Sequence, residues 1–301
     1  MSFRVVSLLA SGTEIVCALG AGEWLVGRSH ECDSPRWVQR LPRCSEPAFD
    51  VWGSSRQIDE EVRRRIRAGE PLYVLDDALI GSLRPDLIIA QEHCEVCAVT
   101  PGDISNGCAT RVAQVMALSA GSLEGVFQGM QQVADALGMA EQGRALVRSE
   151  QLRLKAVRER CALKAKISVV LIEWIDPIFC MGNWGPELVE AANGDLRLGK
   201  PGEHSTTIDW EAVRAADPEV LLIAPCGFTL ERALGERGTL EALPGWSEMR
   251  AVKTGKVAFA DGNLYFNRSG MTVARTAEIL AEVLHGEMFG ECSEGPVWQW
   301  L

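Results

Sequence analysis

Cysteine, histidine and tryptophan gather in a few short stretches of this chain, each placed where an apolar run ends. They are Ser29-His30-Glu31-Cys32, Gln91-Glu92-His93-Cys94-Glu95-Val96-Cys97, and Glu173-Trp174-Ile175-Asp176-Pro177 running on to Cys180 and Trp184. Pro225-Cys226-Gly227-Phe228 and Asp261–Ser269, which carries Tyr265, complete the set. Thiolate sulfur with imidazole nitrogen suits Zn2+ or an iron–sulfur cluster. Cys94-x-x-Cys97 puts two thiols on a tight turn, where they can take adjacent coordination positions. His30, Cys32 and Cys226 are the partners that would complete such a metal site, with Cys44 and His93 as further donors. The same thiols also read as ordinary buried or reduced cysteines, or, for the C-x-x-C, as a redox pair opening a helix. Trp174, Trp184 and Phe228 offer flat apolar faces against which a corrin or porphyrin could lie, with His30, Glu31 and Tyr265 as polar neighbours. Core packing would use the three aromatics equally well.

The elements that position these residues follow from hydrophobic patterning. Val5–Leu9, Trp24–Gly27, Asp86–Ala90, Ile167–Ile172, Val220–Ala224 and Val257–Ala260 are short apolar runs bounded by Gly, Ser, Asp or Pro, the pattern of strands. Tyr73–Leu75 is a further short strand, and Cys108–Leu118 is one more helix or strand unit. A helix starts near Thr13, with Ser11 or Thr13 as N-cap. Further helices are predicted over Ile58–Ala68, Ala78–Leu83, Trp210–Ala216 and Met271–His285, and from Pro186 to the Asn193-Gly194 stop. Ser122 to Lys164 is nearly all helix former, broken at Gly138-Met139; Ala140–Leu163 would span about 36 Å at 1.5 Å per residue. No internal repeat stands out, and the final GECSEGPVWQWL has no assignment. Alternating strands and helices predict an α/β fold, in which ligands sit outside the carboxyl ends of the strands. The divisions are an N-terminal α/β lobe over 1–121, a helical connector over 122–165 and a C-terminal α/β lobe over 166–301.

With 301 residues the chain is long enough for two such lobes. A net charge of −11 counts against nucleic acid as partner, because phosphate binding needs clustered Lys and Arg. No run approaches the roughly 18 apolar residues of a membrane span. The first strand begins within a few residues of Met1, with no basic n-region, apolar h-region or cleavage site ahead of it. Together with ten cysteines, this predicts a reducing, cytoplasmic location. Walker, dinucleotide-binding and nucleophile-elbow motifs are missing.

The stretch VVSLLASGTEIVCALGAGEWLVG closely resembles V-x-S-L-x-P-S-x-T-E followed by L-G-x-x-x-x-L-V-G. That pattern opens the metal-chelate and vitamin B12 binding proteins that feed ABC importers. Ala10 replaces the usual Pro, while Ser7, Leu8, Ser11, Thr13, Glu14, Leu19, Gly20, Leu25, Val26 and Gly27 fit. LRPDLIIA likewise resembles the family's L-x-P-D-L-I-x. On HECDSP, RPDLIIAQEHCEVCAV, EWIDPIFCMGNWGPELVEAANG, PCGF and DGNLYFNRSG the chain looks most like a cobalamin-binding branch that lacks export signals. The resemblance implies two Rossmann-like α/β lobes joined by a long rigid helix, with a ligand cleft between them. It also implies a binder rather than an enzyme, holding a cobalamin-like corrinoid, an iron-siderophore or another small metal chelate. Permease docking in that family uses one surface glutamate on each lobe. Glu211 matches the second, but Ala78 stands at the first, which counts against docking.

Overall fold

The computed structural model describes residues 3–92, 98–104, 113–287, 289 and 296–301. Contacts divide the chain into two units, 1–53 with 57–120 and 124–148, and 54–56 with 121–123 and 149–301.

In the first unit β1 (Val5–Ser7), β2 (Leu25–Arg28), β5 (Leu87–Gln91) and β6 (Gln114–Leu118) form one sheet in the order β2-β1-β5-β6, every pair parallel. β3 (Ser45–Pro47) and β4 (Tyr73–Leu75) make a separate antiparallel pair. The helices are α1 (Ala10–Ala18), α2 (Ser55–Ala68), α3 (Asp77–Leu83), α4 (Pro101–Ile104) and α5 (Leu123–Ala136). α6 (Ala140–Cys161) then runs from the first unit into the second. β1 and β5 are buried along their whole length, as a parallel strand covered on both faces must be, so their sequences are continuous apolar runs. Val6, Leu8, Ile80, Ile88, Ala90 and Ile104 meet in one core cluster.

The second unit is built on β7 (Ile167–Trp174), β11 (Val220–Ile223) and β12 (Val257–Ala260), parallel neighbours with Ile223 opposite both Ile172 and Phe259. β8 (Phe179–Cys180), β10 (Thr206–Thr207) and β13 (Trp298–Trp300) extend this sheet antiparallel, and β9 (Gly194–Leu196) pairs with β7. Its helices are α7 (Gly185–Ala191), α8 (Trp210–Ala216), α9 (Leu230–Gly235), α10 (Arg237–Glu241), α11 (Arg250–Lys253) and α12 (Val273–His285).

Two details depart from expectation. α1 begins at Ala10, ahead of Thr13, and its N-cap is Leu9, which has no capping side chain. Thr13 does not cap the helix because its hydroxyl is already bonded to the sulfur of Cys32 at 3.0 Å. The tail is also structured: Trp298–Trp300 pairs antiparallel with Ala258–Ala260, and Trp298 Nε1 donates to Glu282.

One local device occurs in both units. α3 ends in left-handed Arg84, then Pro85 and Asp86 lead into β5; α8 ends in left-handed Asp217, then Pro218 and Glu219 lead into β11. Asp86 accepts from the backbone N–H of Arg4 at 2.8 Å, and Glu219 from that of Ser168 at 2.9 Å. Each carboxylate thus ties the entry of one central strand to the start of its parallel neighbour. Proline stops the helix and the acid supplies the acceptor that a strand end lacks.

Candidate ligand-binding site

The carboxyl ends of β7, β11 and β12 lie side by side, so their exits form one edge. Trp174 closes β7, Cys226 and Phe228 follow β11, and a π-helical turn, Gly262–Phe266, follows β12. The exits are bonded to one another. Cys226 N–H donates to Glu173 O at 2.9 Å, Asn263 N–H to Phe228 O at 3.0 Å, and Asn267 Nδ2 to Ala224 O at 3.1 Å. Gly262 makes the closest approach: a Cβ there would stand 2.1 Å from Pro225 O, so only glycine lets the third exit cross the second.

Trp174 sits half-buried on this edge with its ring edge-to-face against Phe228, centroids 5.3 Å apart. Phe228 is fully buried, and the guanidinium of Arg232 lies 3.7 Å from its ring centroid. The indole Nε1–H of Trp174 is buried with no acceptor among the described residues. A donor in that state costs free energy, on the order of 1–3 kcal/mol, until something accepts from it. The site therefore offers an aromatic face, a backing cation and one unused donor.

Trp184 lies beyond a reversal of the chain. β8 runs antiparallel to β7 and carries the chain back down the sheet, so that Met181 N–H bonds Leu171 O. Trp184 ends buried at the N-cap of α7, away from the edge that Trp174 occupies. Tyr265 does follow β12, but it is buried and its carbonyl receives the hydroxyl of Thr276 at 2.7 Å.

In the first unit, His30 and Cys32 follow the carboxyl end of β2. His30 shares a hydrogen bond between Nδ1 and Ser45 Oγ at 3.0 Å, and its ring lies over Tyr73. Nε2 faces the half-exposed carboxylate of Glu31 at 3.9 Å. Burial first, then the neighbouring Arg43 and Arg28, lower its pKa to about 4, so the imidazole is neutral and keeps a lone pair at neutral pH. Cys32 is closed in: its sulfur receives the hydroxyl of Thr13 at 3.0 Å, meets Ser29 Oγ at 3.1 Å and faces Ser7 O. Burial pushes this thiol's pKa up. The sulfur is thus enclosed and already hydrogen-bonded within the first unit. Among the described residues no three His, Cys, Asp or Glu side chains come together as a metal site. Cys94 and Cys97 lie outside the described residues.

The position of Ala78 in α3 corresponds to that of Glu211 in α8, each standing the same distance before its left-handed residue. Glu211 is 73% exposed and pairs with Arg214 at 3.1 Å. Asp76, near Ala78, is occupied as the N-cap of α3, accepting from Leu79 N–H.

A family model for periplasmic binding proteins matches residues 5–264. The chain belongs to that family. Its members are the substrate-binding proteins of ABC importers, which implies a small-molecule ligand and a permease partner. A relative in Bacillus subtilis (strain 168), the uncharacterized ABC transporter substrate-binding lipoprotein YvrC, is 24% identical over 290 residues, covering 96% of this chain and 82% of that one. A periplasmic heme binding protein from Pseudomonas aeruginosa shares the fold with TM-score 0.73 at 21% identity, over 99% of this chain and 97% of that one. The periplasmic vitamin B12 binding protein BtuF of Vibrio cholerae does so with TM-score 0.66 at 18% identity, over 93% and 95%.

This family placement overturns the cytoplasmic location read from the cysteines and the N-terminus. The family is one of periplasmic binding proteins and the Bacillus relative is a lipoprotein, which points outside the cytoplasm. The thiols do not oppose that. Cys32, Cys44, Cys161 and Cys180 are buried, and burial raises the pKa of Cys17 and Cys44 to about 11. Such thiols carry almost no thiolate, so they persist without a reducing solvent. Peptide-resolved alkylation at pH 8 is expected to modify Cys17 and Cys44 about 100-fold more slowly in the native protein than after unfolding. Equal rates in the two states would refute the burial argument. Among the described residues no helix is long and apolar enough to cross a membrane.

Proposed function

We propose that the chain captures a flat, metal-centred macrocycle, a corrinoid such as cobalamin or an iron porphyrin, for delivery to an importer. The observation that carries this is Trp174 on the edge of the second sheet, backed by Phe228 and Arg232 and holding an indole N–H with no acceptor among the described residues. An aromatic plane with a single unused donor suits a large apolar ring that has polar groups on its rim. Two proteins of the same fold are named for heme and for vitamin B12, which supports a ligand of this class. The thiolate alternative, Zn2+ or an iron–sulfur cluster held directly, has no cluster of ligands among the described residues to support it.

Titration of the full chain with hemin and, separately, with cyanocobalamin tests this, followed by tryptophan quenching and by the visible bands of the chelate. One of the two is expected to bind at 1:1 with a dissociation constant at or below about 1 μM, roughly −8 kcal/mol. Absence of saturable binding by either at about 100 μM would reject the proposal.

A further inference from the structure

One side of the second sheet is closed by a strand that hydrophobic patterning leaves unassigned. β12 is buried along its whole length, and an apolar strand of that kind with an open side is a template for unwanted pairing. β13 covers it. Ala258, Phe259 and Ala260 face Trp300, Gln299 and Trp298. The ladder ends in bonds from Leu301 N–H to Val257 O at 2.8 Å and from Asp261 N–H to Val297 O at 2.9 Å.

The tryptophans fasten this strand beyond its ladder. Their rings stand edge-to-face with centroids 5.2 Å apart, and Lys256 Nζ lies 4.8 Å from the ring centroid of Trp300. Trp298 reaches a buried ion cluster. Glu150 of α6 and Glu278 and Glu282 of α12 are buried, and they share the guanidinium groups of Arg153 and Arg275. Three carboxylates against two guanidinium groups leave room for further donors. Ala274 N–H supplies Glu150 at 3.4 Å, and Trp298 Nε1 supplies Glu282 at 3.1 Å. A buried carboxylate that loses a donor is costly, so the strand is held by the cluster as well as by the sheet.

The last rung of the ladder bears on the ligand edge. Asp261, whose N–H is held by Val297, precedes the turn Gly262–Phe266 and caps it, its carboxylate accepting from Leu264 N–H at 2.7 Å. Asn263 in that turn donates to Phe228 O at 3.0 Å, and Phe228 is the ring behind Trp174. A series of bonded contacts thus runs from β13 to the Trp174 edge. β13 is three residues long, so it can leave β12 at far lower cost than the central strands can part.

We infer that residues 296–301 are a strap that sets the ligand edge of the second unit. Paired with β12, they hold the turn Gly262–Phe266 in the geometry described; unpaired, they let it loosen. The effect on binding rests on the macrocycle reading, and the effect on the turn does not.

Bonded pairs alternate along an antiparallel ladder, so Gln299, two residues from both Val297 and Leu301, is in a bonded pair with Phe259. Gln299→Pro removes that backbone donor, whereas Gln299→Ala keeps it and loses the same exposed side chain. Hydrogen exchange on the full chain without ligand separates the two. Gln299→Pro is expected to speed exchange of Gly262–Phe266 about tenfold and leave Val220–Ile223 unchanged, with Gln299→Ala matching the unmodified protein. Whichever of hemin and cyanocobalamin binds the unmodified chain should bind Gln299→Pro about tenfold more weakly and Gln299→Ala within about twofold. Trp298→Phe, which keeps a ring and drops the bond to Glu282, should act in the same direction by about threefold, and it carries the test should the proline variant not fold. Equal exchange of the turn in the proline and alanine variants would overturn the inference. So would a rise spread evenly over the second unit, the mark of a purely structural strand, or a loosened turn with unchanged chelate affinity. If neither chelate binds the unmodified chain, the macrocycle reading falls and the exchange comparison alone decides the strap.

Discussion

Trp174→Ala is expected to weaken binding of the chelate by about 10- to 100-fold, the loss typical of a central aromatic anchor worth roughly 2 kcal/mol. The effect has two parts, the lost ring face and the lost Nε1–H donor. Trp174→Phe separates them, because it keeps a ring against Phe228 and removes the donor; its affinity should fall between those of the other two proteins. Trp184→Ala supplies the contrast. Its side chain is buried at the start of α7 and away from the edge, so truncation should lower the unfolding midpoint and leave affinity within about twofold. The measurement is the same spectroscopic titration with a thermal melt on each variant. An equal loss of affinity for Trp174→Ala and Trp184→Ala would place the ligand elsewhere.

Gly262→Ala should produce the largest loss of stability of any single methyl added to this edge. The new Cβ would meet backbone on three counts, Pro225 O at 2.1 Å and Ala224 C and O at 2.6 Å. Backbone atoms cannot rotate away as a flexible side chain can, so the turn after β12 must lift off the exit of β11. That movement breaks the bonds from Asn267 Nδ2 to Ala224 O and to Gly262 O, and the one from Asn263 N–H to Phe228 O. A cost of about 3 kcal/mol or more is expected in denaturant unfolding, at the upper end for overpacking. Ligand affinity should fall too, since Phe228 backs Trp174. A cost below about 1 kcal/mol would mean that the two exits are not in the contact described.

Much of the frame was legible because parallel strands covered on both faces have to be apolar throughout. Val5–Ser7, Leu87–Gln91, Val220–Ile223 and Val257–Ala260 announce themselves in this way, and the candidate residues stand on the edges where such strands end. Trp174, Phe228 and His30 lie at strand exits, as their positions after apolar runs predict. Trp184 does not, because the reversal that removes it is β8, a strand of two residues with no pattern of its own. The same holds for β13, three residues whose pairing with β12 is entirely non-local. The repeated Arg-Pro-Asp and Asp-Pro-Glu device is equally invisible to local reading, because its function lies in a carboxylate reaching a strand remote in sequence.

By itself the sequence determined the α/β frame and the order of its central strands along the chain, since continuous apolar runs and turn residues are local signals, and the resemblance of its opening motif pointed to the family that the family model then matched. Tertiary structure alone decided which polar groups are satisfied. Ser11 and Thr13 look alike as candidates for a cap, yet the Thr13 hydroxyl is bonded to Cys32 and that of Ser11 has no partner among the described residues. Cys32 stands beside His30 in the sequence, yet its sulfur is enclosed between Thr13 and Ser29. The physical reason is common to these cases. Whether a donor, thiol or ring is free depends on neighbours far away in the chain, brought within about 3 Å by packing that no local pattern encodes.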